Sequence, residues 1–93
     1  MLSQTDIALI LENKIAQLKP NQSVKVTPAK NNKVKPPEFV GMYVGTEKTD
    51  IIPFYDYPFP PKIILVAQHI VGRKEPKIVR IPNFLIQDIK PIK

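Results

Sequence analysis

The chain has no cysteine, no tryptophan and only one histidine among its 93 residues. Without cysteine, neither a disulfide nor a thiolate metal site can stabilise the fold, and this fits a reducing compartment. A lone histidine, His69, cannot build a zinc site without other strong ligands nearby. We therefore expect no metal and no cofactor, and we expect His69 to be a structural residue.

Nucleophiles and phosphate-binding loops are equally scarce. Ser3 and Ser23 are the only serines, and neither has a recognisable base partner for a hydrolytic triad. The three glycines are scattered and form no phosphate-binding loop. One weak pattern of a metal-dependent nuclease is left, in which Asp56 precedes the acid-x-Lys sequence of residues 75–77. Because a proline in the middle of that sequence would remove a ladder hydrogen bond, we expect a protein that is not an enzyme.

Long apolar runs are missing too. No segment approaches the roughly 20 residues of a membrane span, and the charged start of a signal peptide is absent. A chain of 93 residues makes one domain at most, with one modest core. The sequence therefore predicts a single folding unit in the cytoplasm, with no membrane partner.

Charge is abundant and uneven, with a net charge of +6. Residues 21–38 and 62–93 are basic, whereas residues 39–61 are net acidic. A basic excess attracts phosphate backbones, but a lysine-rich surface also keeps a protein in solution. Arginine, which planar recognition of phosphate prefers, occurs only at Arg73 and Arg80. The charge alone leaves both interpretations open, and the solvated surface is the favoured one.

Residues 1–20 are predicted to form an amphipathic N-terminal helix. Ser3 is positioned to cap it, with Asp6 three residues later as a capping-box partner, and Pro20 ends it. This helix either packs on an open end of a sheet or serves as a docking or dimer helix. Packing is favoured because so small a domain needs the buried area. The predicted apolar stripe consists of Ile7, Ile10, Leu11, Ile15 and Leu18.

The longest apolar run, from Pro61 to Gly72, is rich in β-branched residues and is bounded by proline and glycine, which favours a strand. We expect it to be the central strand of a small, strongly bent sheet within residues 21–93. Gly41 is expected to mark a bulge or a bend in a preceding strand. The other predicted strands are Ser23–Thr27, Glu38–Gly45, Lys77–Ile81 and Ile86–Ile92, with Ile51-Ile52 as an additional short edge strand.

The order of these elements resembles the SH3-like small barrels. The ending from Val79 to Pro91 carries most of the resemblance. In such barrels a strand is followed by a 3₁₀ turn, here at residues 82–85, and by a short strand that seals the barrel. The resemblance implies a mainly β fold, a five-stranded SH3-like barrel with an N-terminal α-helix, and a binding module without one particular activity.

An aromatic, proline-rich connection between residues 46 and 61 is the best candidate site. Tyr55 and Tyr57 flank Asp56, and aromatic rings beside a carboxylate can hold a cation or stack on a partner. Tyr43 is expected to join them, because ligands of SH3-like barrels often bind near this connection. The alternative is that the phenylalanines of the connection cover the end of the barrel while the tyrosines lie at its rim.

We therefore expect a non-enzymatic protein-interaction module, an accessory subunit of a larger assembly, whose partner contacts Tyr43, Tyr55, Asp56 and Tyr57. The alternative is a nucleic-acid-binding barrel in which the tyrosines stack on bases and seven basic residues contact phosphates. The partner is accordingly another protein, or a ribonucleoprotein or DNA complex, and a homodimer through the N-terminal helix is a further prediction. The seven basic residues are Lys25, Lys30, Lys33, Lys35, Arg73, Lys74 and Lys77.

Overall fold

The computed structural model describes residues 3–29, 37–53 and 56–92. The prediction of a mainly β fold with an N-terminal helix is confirmed. Tyr55 and three predicted phosphate contacts, Lys30, Lys33 and Lys35, lie outside the described residues. The elements in chain order are α1 (Gln4–Gln17), β1 (Ser23–Pro28), β2 (Phe39–Lys48), β3 (Lys62–Gln68), β4 (Lys77–Pro82), a 3₁₀ turn (Asn83–Leu85) and β5 (Ile86–Pro91).

The five strands form one antiparallel sheet in the order β4-β3-β2-β1-β5. In the described part of the chain this sheet is not closed into a barrel, because β4 and β5 are its two edges. The middle strand is β2, so the prediction that the run from Pro61 to Gly72 forms the central strand is wrong. That run is the stronger apolar signal, but long-range pairing sets the order of strands, and the ten-residue β2 pairs with both β1 and β3.

The strand β2 alternates between a covered and an exposed side, as the sequence pattern predicts. The register with β3 shifts between Tyr43 and Gly45, so the irregularity lies beyond Gly41. Gly41 instead permits close packing, because a Cβ atom there would lie 2.5 Å from Val66 Cγ1 and 2.7 Å from the carbonyl oxygen of Ala67. The covered side holds Phe39, Gly41 and Tyr43, and the exposed side holds Val40, Met42 and Val44.

Helix α1 begins at the cap that the sequence predicts. The backbone N–H of Asp6 donates to Ser3 Oγ over 3.1 Å, and the backbone N–H of Ser3 donates to Asp6 Oδ2 over 3.4 Å. The buried stripe differs from the predicted one, because the helix turns an adjacent stripe toward the sheet. Buried or partly buried are Ala8, Leu11, Ile15 and Leu18, whereas Ile7, Leu9 and Ile10 are exposed.

Helix α1 and the inner side of the sheet share one hydrophobic core. The interpretation that the helix packs on the sheet is therefore confirmed, with its contacts made mainly to β5. Homodimerisation through the helix stays a prediction. The buried core consists of Leu11, Ile15, Val24, Val26, Tyr43, Ile64, Val66, Ile86 and Ile89.

Two sequence predictions about the segments that flank β3 are corrected by the structure. The strand ends at Gln68, so His69 lies in the β3–β4 hairpin, where it is exposed. Ile51 and Ile52 are exposed and belong to no strand, so the additional edge strand is wrong. The physical reason is that β2 and β3 each have a strand on both sides, which leaves no free edge beside the connection between them.

Candidate functional site

The predicted partner-binding residues lie in different environments. Tyr43 belongs to the core and is only 7% exposed, and burial raises the pKa of its hydroxyl. Asp56 is exposed in the β2–β3 connection, and Tyr57 is half-buried there. The structure thus places Tyr43 in the interior and not on a surface shared with Asp56, while the role of these residues as partner contacts stays a prediction.

Tyr57 joins the end of the β2–β3 connection to helix α1. Its hydroxyl donates a hydrogen bond of 2.9 Å to Glu12 Oε2. Its ring lies edge-on to Phe59 with centroids 6.0 Å apart, and its centroid is 6.4 Å from that of Phe84. Both ends of the tyrosine are therefore used within the fold, which favours the interpretation that the aromatics of this connection cover one end of the sheet.

Glu12 and Asn83 extend this contact into a polar network. Glu12 Oε1 lies 3.1 Å from Lys62 Nζ, and Asn83 Nδ2 donates to Glu12 Oε2 over 3.4 Å and to the carbonyl oxygen of Pro60 over 3.2 Å. Asn83 Oδ1 accepts from the backbone N–H of Lys62 over 3.2 Å. Asn83 is fully buried, so the network holds the connection against α1 and the 3₁₀ turn. Sequence reasoning missed it, because Glu12 and Asn83 are 71 residues apart.

The antiparallel topology gathers basic residues at one end of the sheet. The β1–β2 and β3–β4 connections share this end, which we call the basic end, and the β2–β3 connection lies at the opposite one. Lys25 Nζ lies 2.8 Å from Glu38 Oε2, and this hydrogen bond, with the attraction of the carboxylate, raises the pKa of Lys25. The basic end holds the described members of the predicted phosphate-contacting set, all exposed: Lys25, Arg73, Lys74 and Lys77.

The side of the sheet that carries the outward residues of β2, here called the outer face, is apolar and exposed. Val40 is 53% exposed, Met42 42%, Val44 43% and Ile78 44%. The strand register places Met42, Ala67 and Ile78 side by side across three strands. Contiguous exposed apolar surface of this kind marks interaction sites in soluble proteins. The alternation in β2 predicted that Val40, Met42 and Val44 share one side of the strand, but it did not predict that this side is exposed.

Two ion pairs border the outer face. Besides the pair between Lys25 and Glu38, Arg80 Nη1 lies 2.6 Å from Glu47 Oε2. Arg80 is opposite Leu65 in the register, beside the row that contains Ile78. An apolar centre with a charged rim is the usual arrangement of a protein–protein interface.

The weak nuclease pattern is not assembled by the fold. Asp56 lies in the β2–β3 connection, whereas Glu75 and Lys77 lie at the basic end, which is the opposite end of the sheet. Among the described residues, no group of three or more histidine, aspartate or glutamate side chains is placed to hold a metal ion. The residues of the pattern therefore cannot act on one substrate atom.

Within residues 3–29, 37–53 and 56–92, no helix is both long and apolar enough to cross a membrane. Comparison with protein-family models, curated proteins and solved structures finds no match.

Proposed function

We propose that the protein is a non-enzymatic protein-interaction module, an accessory subunit of a larger assembly, and that its partner binds the outer face. The observation that carries the proposal is the exposure of four large aliphatic side chains on one side of the sheet: Val40, Met42, Val44 and Ile78. Burying such side chains in an interface gains about 25 cal/mol for each Å² of apolar surface removed from water. No such gain comes from the tyrosine of β2, because Tyr43 is already buried in the core.

The proposed kinship with SH3-like barrels is supported by the strand order. A 3₁₀ turn separates β4 from the short β5, as the resemblance implies, and β5 pairs with β1. Domains of this class serve mainly as binding modules, which agrees with an interaction role. The location in the cytoplasm stays a prediction.

The test is affinity capture of partners from a nuclease-treated lysate of the native source. In the double variant Val40→Thr, Val44→Thr, threonine keeps the branched shape and the strand propensity, so the fold is retained. Burying each unpaired hydroxyl in an interface costs about 1–3 kcal/mol, so we expect partner binding to fall by about tenfold or more. The partner should be quantified at several bait concentrations, with the melting temperature of each variant measured in parallel.

The matched control is the double variant Ile7→Thr, Ile10→Thr, which likewise places threonine at two exposed aliphatic positions, here on α1. We expect this variant to capture the same partners as the unmodified protein. Partners that are lost with the helix variant and kept with the sheet variant would overturn the proposal and favour docking or dimerisation through α1.

A nucleic-acid-binding module is the second candidate, and the clustering of basic residues at one end of the sheet favours it. Arg73, Lys74 and Lys77 are exposed there together. Two of the three tyrosines predicted to stack on bases do not support it, because Tyr43 is in the core and Tyr57 bonds to Glu12. This candidate predicts binding to DNA or RNA that weakens steeply with salt, and no binding to single- or double-stranded forms at low salt would end it.

A further inference from the structure

The strand β4 is an edge strand with one open side. Among the described strands it pairs only with β3. In an antiparallel ladder the hydrogen-bonding groups of successive residues point to alternate sides, so about half of those in β4 point away from the sheet. Lys77, Ile78 and Arg80 are exposed along this edge. Such an edge is a template for an added strand from another chain.

This edge is basic, and its charge decides what kind of strand it can accept. Lys77 and Arg80 lie on β4, and Arg73 and Lys74 precede it in the hairpin. The Arg80 side chain pairs with Glu47 but is still 61% exposed. Pairing of β4 with the same edge of a second copy would bring like charges together, which is destabilising. An acidic strand is attracted by the same residues, and the net charge of +6 acts in the same direction.

We propose that β4 accepts an extended acidic segment of a protein partner as a sixth, antiparallel strand. This inference rests on the proposed function and extends its surface, since Ile78 belongs both to β4 and to the outer face. Carboxylates of the added strand lie opposite Lys77 and Arg80, and apolar side chains lie opposite Ile78, Val79 and Ile81. From its N-terminus, the segment therefore reads apolar, acidic, apolar, apolar, acidic.

Two synthetic peptides of matched length test this inference. The first is Thr-Val-Glu-Val-Val-Glu-Thr, and in the second lysine replaces both glutamates. Each is titrated to about 1 mM into the isotope-labelled protein while amide chemical shifts and amide hydrogen exchange are followed. We expect the acidic peptide to shift and protect the amides of β4, and the basic peptide to leave them unchanged. Equal effects of both peptides, or no protection of β4 by the acidic one, would overturn the proposal.

A pair of charge reversals locates the binding edge. Lys77→Glu is expected to weaken binding of the acidic peptide by about threefold or more, since it replaces an attraction by a repulsion. Lys48→Glu makes the same change in net charge at an exposed position near the opposite end of the sheet, and is expected to leave the affinity within about twofold. Equal losses in both variants would assign the effect to net charge and contradict an edge site.

An oligothymidylate of similar charge separates a protein ligand from a nucleic acid. Protection of the β4 amides by this oligonucleotide would overturn the proposal in favour of a nucleic-acid surface. If the acidic peptide does not protect β4 but partner capture still depends on Val40 and Val44, the edge site is contradicted and the proposed function is kept. If the variant with both valines replaced captures the partner as well as the unmodified protein does, the proposed function is contradicted instead.

Discussion

The two sides of the sheet are built from similar residues but stand in different surroundings. On the inner side, Val66 and Ile64 are fully buried in the core that the sheet shares with helix α1. On the outer side, Val44 and Ile78 are comparably aliphatic, yet each is more than two fifths exposed. Hydrophobicity alone therefore does not tell which apolar residues hold the fold together. We therefore expect the inner residues to account for stability, and we propose the outer ones as the partner surface.

The largest expected difference in the free energy of unfolding, between a variant on a covered side and one on an exposed side, is on helix α1. Leu11 is 3% exposed and Leu9 is 46% exposed, so the two leucines of one helix form a matched pair. Leu11→Ala leaves a cavity between α1 and the sheet and should lower the free energy of unfolding by about 3 kcal/mol. Leu9→Ala should lower it by less than about 1 kcal/mol. Urea denaturation measures both, and equal losses would show that the helix is not part of the core.

Two glycines of β2 give the next comparison. Gly41→Ala should lower the free energy of unfolding by about 2 kcal/mol, because the new methyl would press on Val66 and on the backbone of Ala67. At Gly45 a Cβ atom meets nothing within 4 Å, so Gly45→Ala should be neutral or stabilise by about 0.5 kcal/mol. Thermal denaturation of both variants checks the pair. A neutral Gly41→Ala would contradict the close packing of β2 on β3.

A smaller effect is expected where the β2–β3 connection contacts the helix. Tyr57→Phe keeps the ring beside Phe59 and Phe84 but removes the hydrogen bond to Glu12. It should lower the free energy of unfolding by about 1 kcal/mol, the usual net value of such a bond. It should also speed amide exchange in the connection. Unchanged stability and exchange would show that the hydroxyl is not anchored to the helix in solution.

The smallest effect depends on pH. Burial raises the pKa of Asp88. The hydrogen bond and charge of Lys14, 2.7 Å away, together with the backbone N–H of Ile89 and the charge of Lys90, outweigh burial and hold the pKa below its ordinary value of 3.8. A carboxylate with a lowered pKa stabilises the fold above that value, and this contribution is lost as the pH falls through the folded-state pKa.

Lys14→Met should therefore lower the free energy of unfolding by about 0.5 kcal/mol at pH 7, because both partners are partly exposed. The difference from the unmodified protein should vanish at a pH below the folded-state pKa of Asp88. Lys19→Met, at an exposed lysine just after α1, is the control and should change little at any pH. A deficit in Lys14→Met that is independent of pH would point to lost packing of the lysine stem instead.

Features that depend on neighbouring residues were predictable from the sequence. The capping box needs only Ser3 and Asp6, and the two sides of β2 follow from simple alternation. The same alternation places Tyr43 on the side of Phe39, which is the core side. The expectation of Tyr43 as a ligand contact came from the resemblance to SH3-like barrels and went against this pattern.

Features that depend on distant residues were not predictable. The position of β2 in the middle of the sheet follows from pairing with two other strands, which no local pattern encodes. The choice of Ala8 over Ile7 as a buried residue depends on where the sheet meets the helix. The polar network was beyond sequence reasoning, because the bond between Glu12 and Asn83 joins residues far apart in the chain. The exposure of the outer face was not predictable either, because the sequence does not tell which side of the sheet the helix covers.

The most direct test of the difference between the two faces is the free energy of unfolding of Val66→Ala and Val44→Ala, measured by urea denaturation under identical conditions. Both variants lose the same two methyl groups from the sheet. If only the inner face holds the fold together, Val66→Ala loses about 2 kcal/mol and Val44→Ala loses less than about 0.5 kcal/mol. A loss in Val44→Ala as large as that in Val66→Ala would show that the outer face is needed for folding, and would contradict its assignment as a free binding surface.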